Sequence, residues 1–287
     1  MKGTGYKMAD KKSAAARDAL DSKRVKKKYL ITNTNNFVVT EAYKTGRVNL
    51  MFSLANTDNR AVVFTSCSAA EGKSTNSVNM SISLAQTGKK VILIDADLRR
   101  PTIHSLLDIV NKNGLSRLLG RFCELDDAIN KNVVDGLDVI IAGEIPPNPA
   151  ELLGSERMAD TLKKLHEKYD YIIIDTPPIG IISDALVLSK LCAGICFVTR
   201  DGNTSHVDIK KALQQVEIAN VKVLGFIKAG CYAKKHFYGK YGKYGRYGRY
   251  GGSYGYGGYE YAASQAAANE DREKKSEKPS KNKSDKS

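Results

Sequence analysis

Ala61-Val62-Val63-Phe64-Thr65-Ser66-Cys67-Ser68-Ala69-Ala70-Glu71-Gly72-Lys73-Ser74-Thr75 joins an apolar run to a turn of small residues and a Gly-Lys-Ser-Thr. Beyond it, Val78, Ile82, Leu84 and Ala85 recur at helical spacing. Strand, turn, Gly-Lys-Ser/Thr and helix are the setting of a phosphate-binding loop. Backbone N–H groups at the helix start point at the phosphates, the ammonium of Lys73 reaches the outer ones, and the hydroxyl of Ser74 can ligate Mg²⁺. The loop residues predicted to contact a nucleotide are Ala70, Glu71, Gly72, Lys73, Ser74 and Thr75. In the pattern G-x-x-x-x-G-K-[ST] the first glycine falls at position 67, which here is Cys67.

Outward from this loop the chain alternates. Strand-like runs are 62–66, 91–95, 137–141, 171–175, 195–199 and 221–227, and helix-like segments are 73–87, 102–107, 151–168, 183–190 and 205–219. Val91-Ile92-Leu93-Ile94 and Tyr171-Ile172-Ile173-Ile174 are apolar on both faces. Strands buried on both sides and alternating with helices predict a mostly parallel central sheet in a three-layer α/β fold. In such sheets ligands bind beyond the carboxyl ends of the strands. Three aspartates fall there: Asp95 and Asp97 after one strand and Asp175 after another. Hard oxygen ligands near a phosphate loop suit Mg²⁺ bound with a nucleotide.

Charge separates the chain into zones. Residues 1–30 carry ten Lys/Arg against three Asp/Glu, and residues 232–287 carry thirteen against six. These two ends account for the whole net charge of +14, so the stretch between them is neutral. Basic ends on a neutral body fit an anionic membrane surface as well as a nucleic acid. The five cysteines form no C-x-x-C pair, which predicts a reducing, cytosolic compartment. A polar, basic start predicts no signal peptide, and Asp184 and Lys190 interrupt the longest apolar region, so no membrane span is predicted.

The divisions are a flexible basic segment over 1–36, a catalytic domain over 37–231, a tyrosine cluster over 232–261 and a polar tail over 262–287. Within the domain, 37–56 holds a helix predicted to be capped by Thr40, with apolar positions at 43, 47/48, 51 and 54/55, and with Glu41, Lys44 and Arg47 on its other face. Of ten tyrosines in 232–261, five stand three residues apart, four of them as Tyr-Gly-Lys/Arg. Glycine at that density forbids a stable helix. Aromatic and basic residues so interleaved suit stacking on single-stranded nucleic acid, self-association, or an array of phosphorylatable phenols.

Together these features resemble the bacterial tyrosine kinases of the capsule and exopolysaccharide type, over about residues 38–261. Gly72-Lys73-Ser74-Thr75 resembles their Walker A motif. Ile92-Leu93-Ile94-Asp95-Ala96-Asp97-Leu98-Arg99-Arg100-Pro101 resembles a second Walker A-type motif, and Ile172-Ile173-Ile174-Asp175-Thr176-Pro177-Pro178 a Walker B. Gly143-Glu144-Ile145-Pro146-Pro147-Asn148-Pro149-Ala150-Glu151-Leu152-Leu153 and the tyrosine cluster complete the likeness.

The resemblance implies a P-loop NTPase fold and a kinase using ATP and Mg²⁺. Lys73 would hold the phosphates, Ser74, Asp97 and Asp175 the metal, and Asp95 would accept the proton of the incoming tyrosine hydroxyl. Glu41, Lys44 and Arg47 resemble a Glu-x-x-Arg-x-x-Arg helix that joins subunits into a ring. Such kinases phosphorylate a neighbour's tail, here at Tyr238, Tyr241, Tyr244, Tyr247, Tyr250, Tyr254, Tyr256, Tyr259 and Tyr261. The implied partners are a membrane-embedded activator, which would hold the protein at the inner face of the membrane, and a tyrosine phosphatase; no nucleic acid is expected.

Departures from the family pattern are Ala69-Ala70 for Pro-Gly, Lys44 for arginine, and Ile227-Lys228-Ala229-Gly230 for a Val-Leu-Asn ending. Alanine at position 70 costs roughly 1 kcal/mol if that position takes a positive φ. The rival readings are a MinD/ParA-like ATPase, whose extra loop lysine would stand at Ser68, and a nucleotide-regulated scaffold whose aromatic tail binds nucleic acid or a partner.

Overall fold

The computed structural model describes residues 30–33 and 36–231. Chain contacts divide the molecule into two units, Met1–Asn35 with Ala42–Cys231 and Asn36–Glu41 with Tyr232–Ser287. The sheet and its flanking helices belong to the first. Of the second, only the beginning of a helix is described, so the tyrosine cluster at 232–261 and the polar tail lie outside the described residues.

Among the described residues, seven strands form one sheet. They are β1 (Ala61–Ser66), β2 (Val91–Asp95), β3 (Ile129–Val134), β4 (Leu137–Ile140), β5 (Tyr171–Asp175), β6 (Gly194–Arg200) and β7 (Val223–Ala229), in the spatial order β3-β4-β2-β5-β1-β6-β7. Every neighbouring pair is parallel except β3 with β4. The sheet is mostly parallel, as the doubly apolar strands predict.

Alternate residues of one strand serve opposite cores. Val63, Ile92, Ile94, Ile172 and Ile174 join one apolar cluster, while Val62, Phe64, Val91, Leu93 and Ile173 join the other. Each of these inner strands therefore needs apolar residues on both sides, which is the physical source of the unbroken runs.

Helices alternate with the strands: α1 (Phe37–Ser53), α2 (Lys73–Ala85), α3 (Ile103–Leu107), α4 (Leu115–Leu119), α5 (Leu125–Ala128), α6 (Pro149–Leu153), α7 (Glu156–His166), α8 (Asp184–Ser189) and α9 (His206–Ile218). Three expectations need correction. First, α1 begins at Phe37, a turn before Thr40, because the Asn36 side chain accepts the N–H of Val39 at 3.3 Å and serves as the cap. Second, 151–168 is two helices: the chain turns at Gly154, and Ser155 restarts it by accepting the N–H of Met158. Third, β3 was not expected, because Asn130, Lys131 and Asn132 make it polar, as an antiparallel edge strand can be.

α2 is buried on nearly every side although half its residues are Ser, Thr or Asn. Ser77 and Ser81 donate back to the carbonyls of Ser74 and Ser77. Outward, α1 covers it. The Tyr43 hydroxyl donates to Asn76 Oδ1 at 2.9 Å and accepts from Asn79 Nδ2 at 3.1 Å, and Arg47 donates to the carbonyl of Ser83 at 2.7 Å. Arg47 is thereby drawn onto α2 of its own chain, whereas the helical spacing had set it on an outer charged face with Glu41 and Lys44. Its guanidinium can reach an acceptor that a shorter side chain at this position could not. Among the described residues, no helix is long and apolar enough to cross a membrane.

Candidate active site at the strand ends

The register of the sheet assembles the site. Asp95 at the end of β2 stands opposite Asp175 at the end of β5, and Asp175 stands opposite Phe64 of β1, just before the loop. Two aspartates 80 residues apart in sequence are thus neighbours because two apolar strands pair in parallel.

The loop itself is a tight arch from Cys67 to Gly72. Ala70 takes φ +62° and Gly72 φ +89°, the latter as the residue preceding the first turn of α2. Position 70 does need the left-handed conformation that alanine resists. The loop after β5 braces the arch: Thr65 donates to the carbonyl of Pro177 at 2.8 Å, and Ser66 accepts the N–H of Ile179 at 2.9 Å. A Cβ on Gly180 would stand 2.3 Å from the carbonyl oxygen of Cys67, so only glycine permits that approach.

Lys73 is the hub. Its ammonium lies 2.9 Å from Asp97 Oδ2 and 3.2 Å from Asp175 Oδ2. Ser74 Oγ donates to the same Asp175 oxygen at 2.6 Å. Burial opposes the charge on Lys73, but Asp175, Asp97 and Asp95 outweigh it and raise its proton affinity above the ordinary lysine value. Asp175 is fully enclosed, and burial raises its pKa against the pull of Lys73. Asp97 is 4% exposed and its Oδ1 accepts the N–H of Arg100 at 3.0 Å.

Asp95 has no exposed surface. Its Oδ1 accepts the N–H of Asp97, and its Oδ2 accepts those of Thr102 and Ile103 at the start of α3. Burial and then the charge of Asp175 push its pKa up to about 8.

The arrangement suits Mg²⁺ on one observation in particular. Oδ1 of Asp175 is buried without a hydrogen-bond partner, beside Ser74 and across Lys73 from Asp97. A carboxylate oxygen left so costs stability unless a cation or a water on a cation answers it. Among the described residues, no group of three or more His, Cys, Asp or Glu side chains could hold a metal alone. That suits an ion bound through a few protein oxygens, a hydroxyl among them, with phosphate and water as its other ligands.

Of the predicted residues, the structure brings together Asp95, Asp97, Asp175, Lys73 and Ser74, with Ala70, Glu71, Gly72 and Thr75 on the loop and first turn of α2. Glu41, Lys44 and Arg47 lie on α1, away from this cluster in sequence, and the tail tyrosines fall outside the described residues. Sequence reasoning missed two contacts. Arg99 makes a two-pronged bond to the wholly buried Asp184, at 3.0 and 3.3 Å. Glu71 turns its carboxylate back into the protein. The unpaired look of Asp184 inside an apolar run was the available signal for the first.

Comparison with known proteins agrees with this geometry. The AAA domain family matches residues 60–191. The tyrosine-protein kinase YwqD of Bacillus subtilis (strain 168) is 38% identical over 204 residues, covering 70% of this chain and 86% of the relative. The putative tyrosine-protein kinase CapB of Staphylococcus aureus is 36% identical over 189 residues, covering 66% and 83%. The solved kinase domain of the Escherichia coli tyrosine kinase ETK superposes with a TM-score of 0.66 at 33% identity, covering 76% of this chain and 80% of that one. With a phosphate loop, strand-end aspartates and a relative 38% identical that is covered over 86% of its length, this nucleotide-binding chain belongs to the bacterial tyrosine-protein kinases.

Proposed function

We propose that the protein uses ATP and Mg²⁺ to phosphorylate the tyrosines of a second copy, at positions 238–261, and thereby regulates the synthesis and export of a capsular polysaccharide or exopolysaccharide. The observation that carries the reading is the convergence of Lys73 with Asp97, Asp175 and Ser74 within 3.2 Å at the strand ends.

In this reading Lys73 leaves its bridge between two carboxylates to neutralise the outer phosphates of the nucleotide. Backbone N–H groups from Ala70 to Thr75 point at those phosphates, because they open a helix whose dipole favours negative charge. Ser74, Asp97 and Asp175 would hold Mg²⁺, which supplies charge neutralisation for phosphoryl transfer when bound. Asp95 is proposed as the proton acceptor for the tyrosine hydroxyl. Three backbone N–H groups occupy three of the roughly four lone-pair positions on its carboxylate, leaving one for the proton.

A ring of copies, joined through α1 with Glu41, Lys44 and Arg47, would present each tail to its neighbour. Arg47 would then serve both its own α2 and the subunit contact. A membrane-embedded activator and a tyrosine phosphatase complete the proposed system, placing the protein in the cytoplasm at the inner face of the membrane. Each tyrosine phosphate adds about −1.5 to −2 charge at pH 7. Several would reverse the sign of a tail carrying Lys240, Lys243, Arg246 and Arg249, and release it from a site that holds nucleotide and three carboxylates.

The test mixes active protein with a Lys73→Met copy of distinguishable mass, adds labelled ATP and Mg²⁺, and maps phosphotyrosine. Label on residues 238–261 of the Lys73→Met copy is expected. Label confined to the active copy would overturn transfer between copies, and no phosphotyrosine anywhere would overturn the reading.

A further inference from the structure

Glu71 is the loop residue whose side chain the phosphate site does not use. It is 1% exposed, so its carboxylate is enclosed, and the groups that donate to it are neutral. Instead its Oε2 accepts the N–H of Cys67 at 2.9 Å and that of Ser68 at 3.2 Å, and its Oε1 accepts the hydroxyl of Thr204 at 2.6 Å. Thr204 lies 133 residues away, in the turn between β6 and α9. Its hydroxyl oxygen also accepts the N–H of Arg200 at 2.8 Å, so it relays the end of β6 into the carboxylate.

That turn is itself braced. Thr204 and Asn203 donate N–H to the carbonyl of Arg200, and Asp201 donates N–H to the carbonyl of Ala229 on β7. Lys228 lies 2.7 Å from Asp201. On the other flank, a Cβ on Gly72 would come within 3.9 Å of the Ala229 methyl. The carboxyl ends of β6 and β7 and the start of α2 therefore close around the loop, with Glu71 as the side chain that ties them.

We propose that Glu71 and Thr204 form a positioning pair that fixes the phosphate loop to the turn after β6, so that both walls of the nucleotide site keep one geometry. Two features support a role beyond filling space. The pair withdraws the N–H groups of Cys67 and Ser68 from the phosphates, which restricts the phosphate contacts to the N–H groups from Ala69 onward. It also pins both sides of Ala70, whose φ of +62° a loose loop would relax. The inference rests on the reading of this site as the nucleotide site.

The full chain decides it, as parent, Thr204→Val, Thr204→Ser, Glu71→Gln and the double variant. Amide hydrogen exchange at Cys67 and Ser68 without nucleotide reports the tie. ADP affinity by calorimetry with Mg²⁺, and KM for ATP against kcat on a tyrosine peptide, report its use. Thr204→Val is expected to speed the exchange and to raise the ADP Kd and the KM about ten-fold, as loss of a hydrogen bond to a charged group would, with kcat within about two-fold. Thr204→Ser restores both, and the valine adds little to Glu71→Gln because the pair acts as a unit. Parent-like exchange and affinity in Thr204→Val, or effects that multiply in the double variant, would overturn the pair alone. A parent that binds no ADP would overturn the nucleotide site and this inference with it. A variant that melts earlier yet binds ADP like the parent would reduce the contact to a structural one and overturn its role in the site.

Discussion

Glu71 and Asp175, at the end of β5, are enclosed to nearly the same degree, yet their charges are answered in opposite ways. Glu71 receives three donors from the loop and the β6 turn, all within 3.2 Å. Asp175 keeps one oxygen without any partner, faces Asp95 across the strand pair, and shares Lys73 with Asp97. A carboxylate with both oxygens engaged and no strand-end aspartate opposite it, like Glu71, is part of the scaffold. One left short, beside like charges, is kept because something positive is to arrive. Burial alone does not separate the two; the count of donors does.

The strongest way to break this contrast is to remove the cation that holds the aspartates together. Lys73→Met should lower tyrosine phosphorylation by about a hundred- to a thousand-fold, the usual loss for one preorganised charge partner in phosphoryl or acyl transfer. Labelled ATP measures it, and undiminished phosphotyrosine would remove Lys73 from the chemistry.

Next in size is the division of labour among the aspartates. Asp97→Ala and Asp175→Ala should each weaken Mg²⁺-dependent nucleotide binding by about ten- to a hundred-fold, while Asp95→Ala should bind nucleotide and fail in transfer. Calorimetry on the three variants decides, and equal loss of affinity in all would erase the distinction.

On the scaffold side, Glu71→Ala should destabilise the fold by about 2 kcal/mol, since it leaves two loop N–H groups and the Thr204 hydroxyl without their acceptor. A urea midpoint unchanged from the parent would show that water replaces the carboxylate at no cost.

The smallest effect sharpens the comparison from the backbone. Ala70→Gly should relieve left-handed strain at φ +62° and stabilise by up to about 1 kcal/mol, part of it returned as entropy of the unfolded glycine. Denaturant melts measure this, and destabilisation by Ala70→Gly would mean that the alanine methyl has a packing role that outweighs the strain.

How much of this could be read beforehand follows from the range of each interaction. Val91-Ile92-Leu93-Ile94-Asp95 and Tyr171-Ile172-Ile173-Ile174-Asp175 announce buried parallel strands with carboxylates at their ends, because burial on both faces is written in consecutive residues. The Gly-Lys-Ser turn is likewise local. β3 escaped since an edge strand needs no apolar face, and the break at Gly154-Ser155 was hidden by helical residues on both sides. The inward turn of Arg47 depends on Ser83, and the clasp of Glu71 on Thr204, and neither pairing leaves a periodic trace in the chain. Local pattern marks which residues carry charge; only the folded register tells which of those charges are already answered.

The covering of α2 by α1 sets a limit on excision. Between Ser74 and Ala85 the helix bearing Lys73 has no ionised side chain, and its outward Asn76, Asn79 and Ser83 are engaged by Tyr43 and Arg47, with Leu50 and Leu54 packed in the same cluster as Val78 and Ile82. A fragment starting at residue 60, where the family match begins, would retain all seven strands and every group around Lys73. It would also bare a neutral helical surface shaped for another helix, and such surfaces find one another when no partner is tethered nearby. Leu30 and Ile31 are buried in that cluster too, and Ile31 donates its N–H to Asn79 at 3.0 Å, so the smallest fragment that stays dispersed reaches back to Leu30, although no described residue before 61 belongs to the sheet.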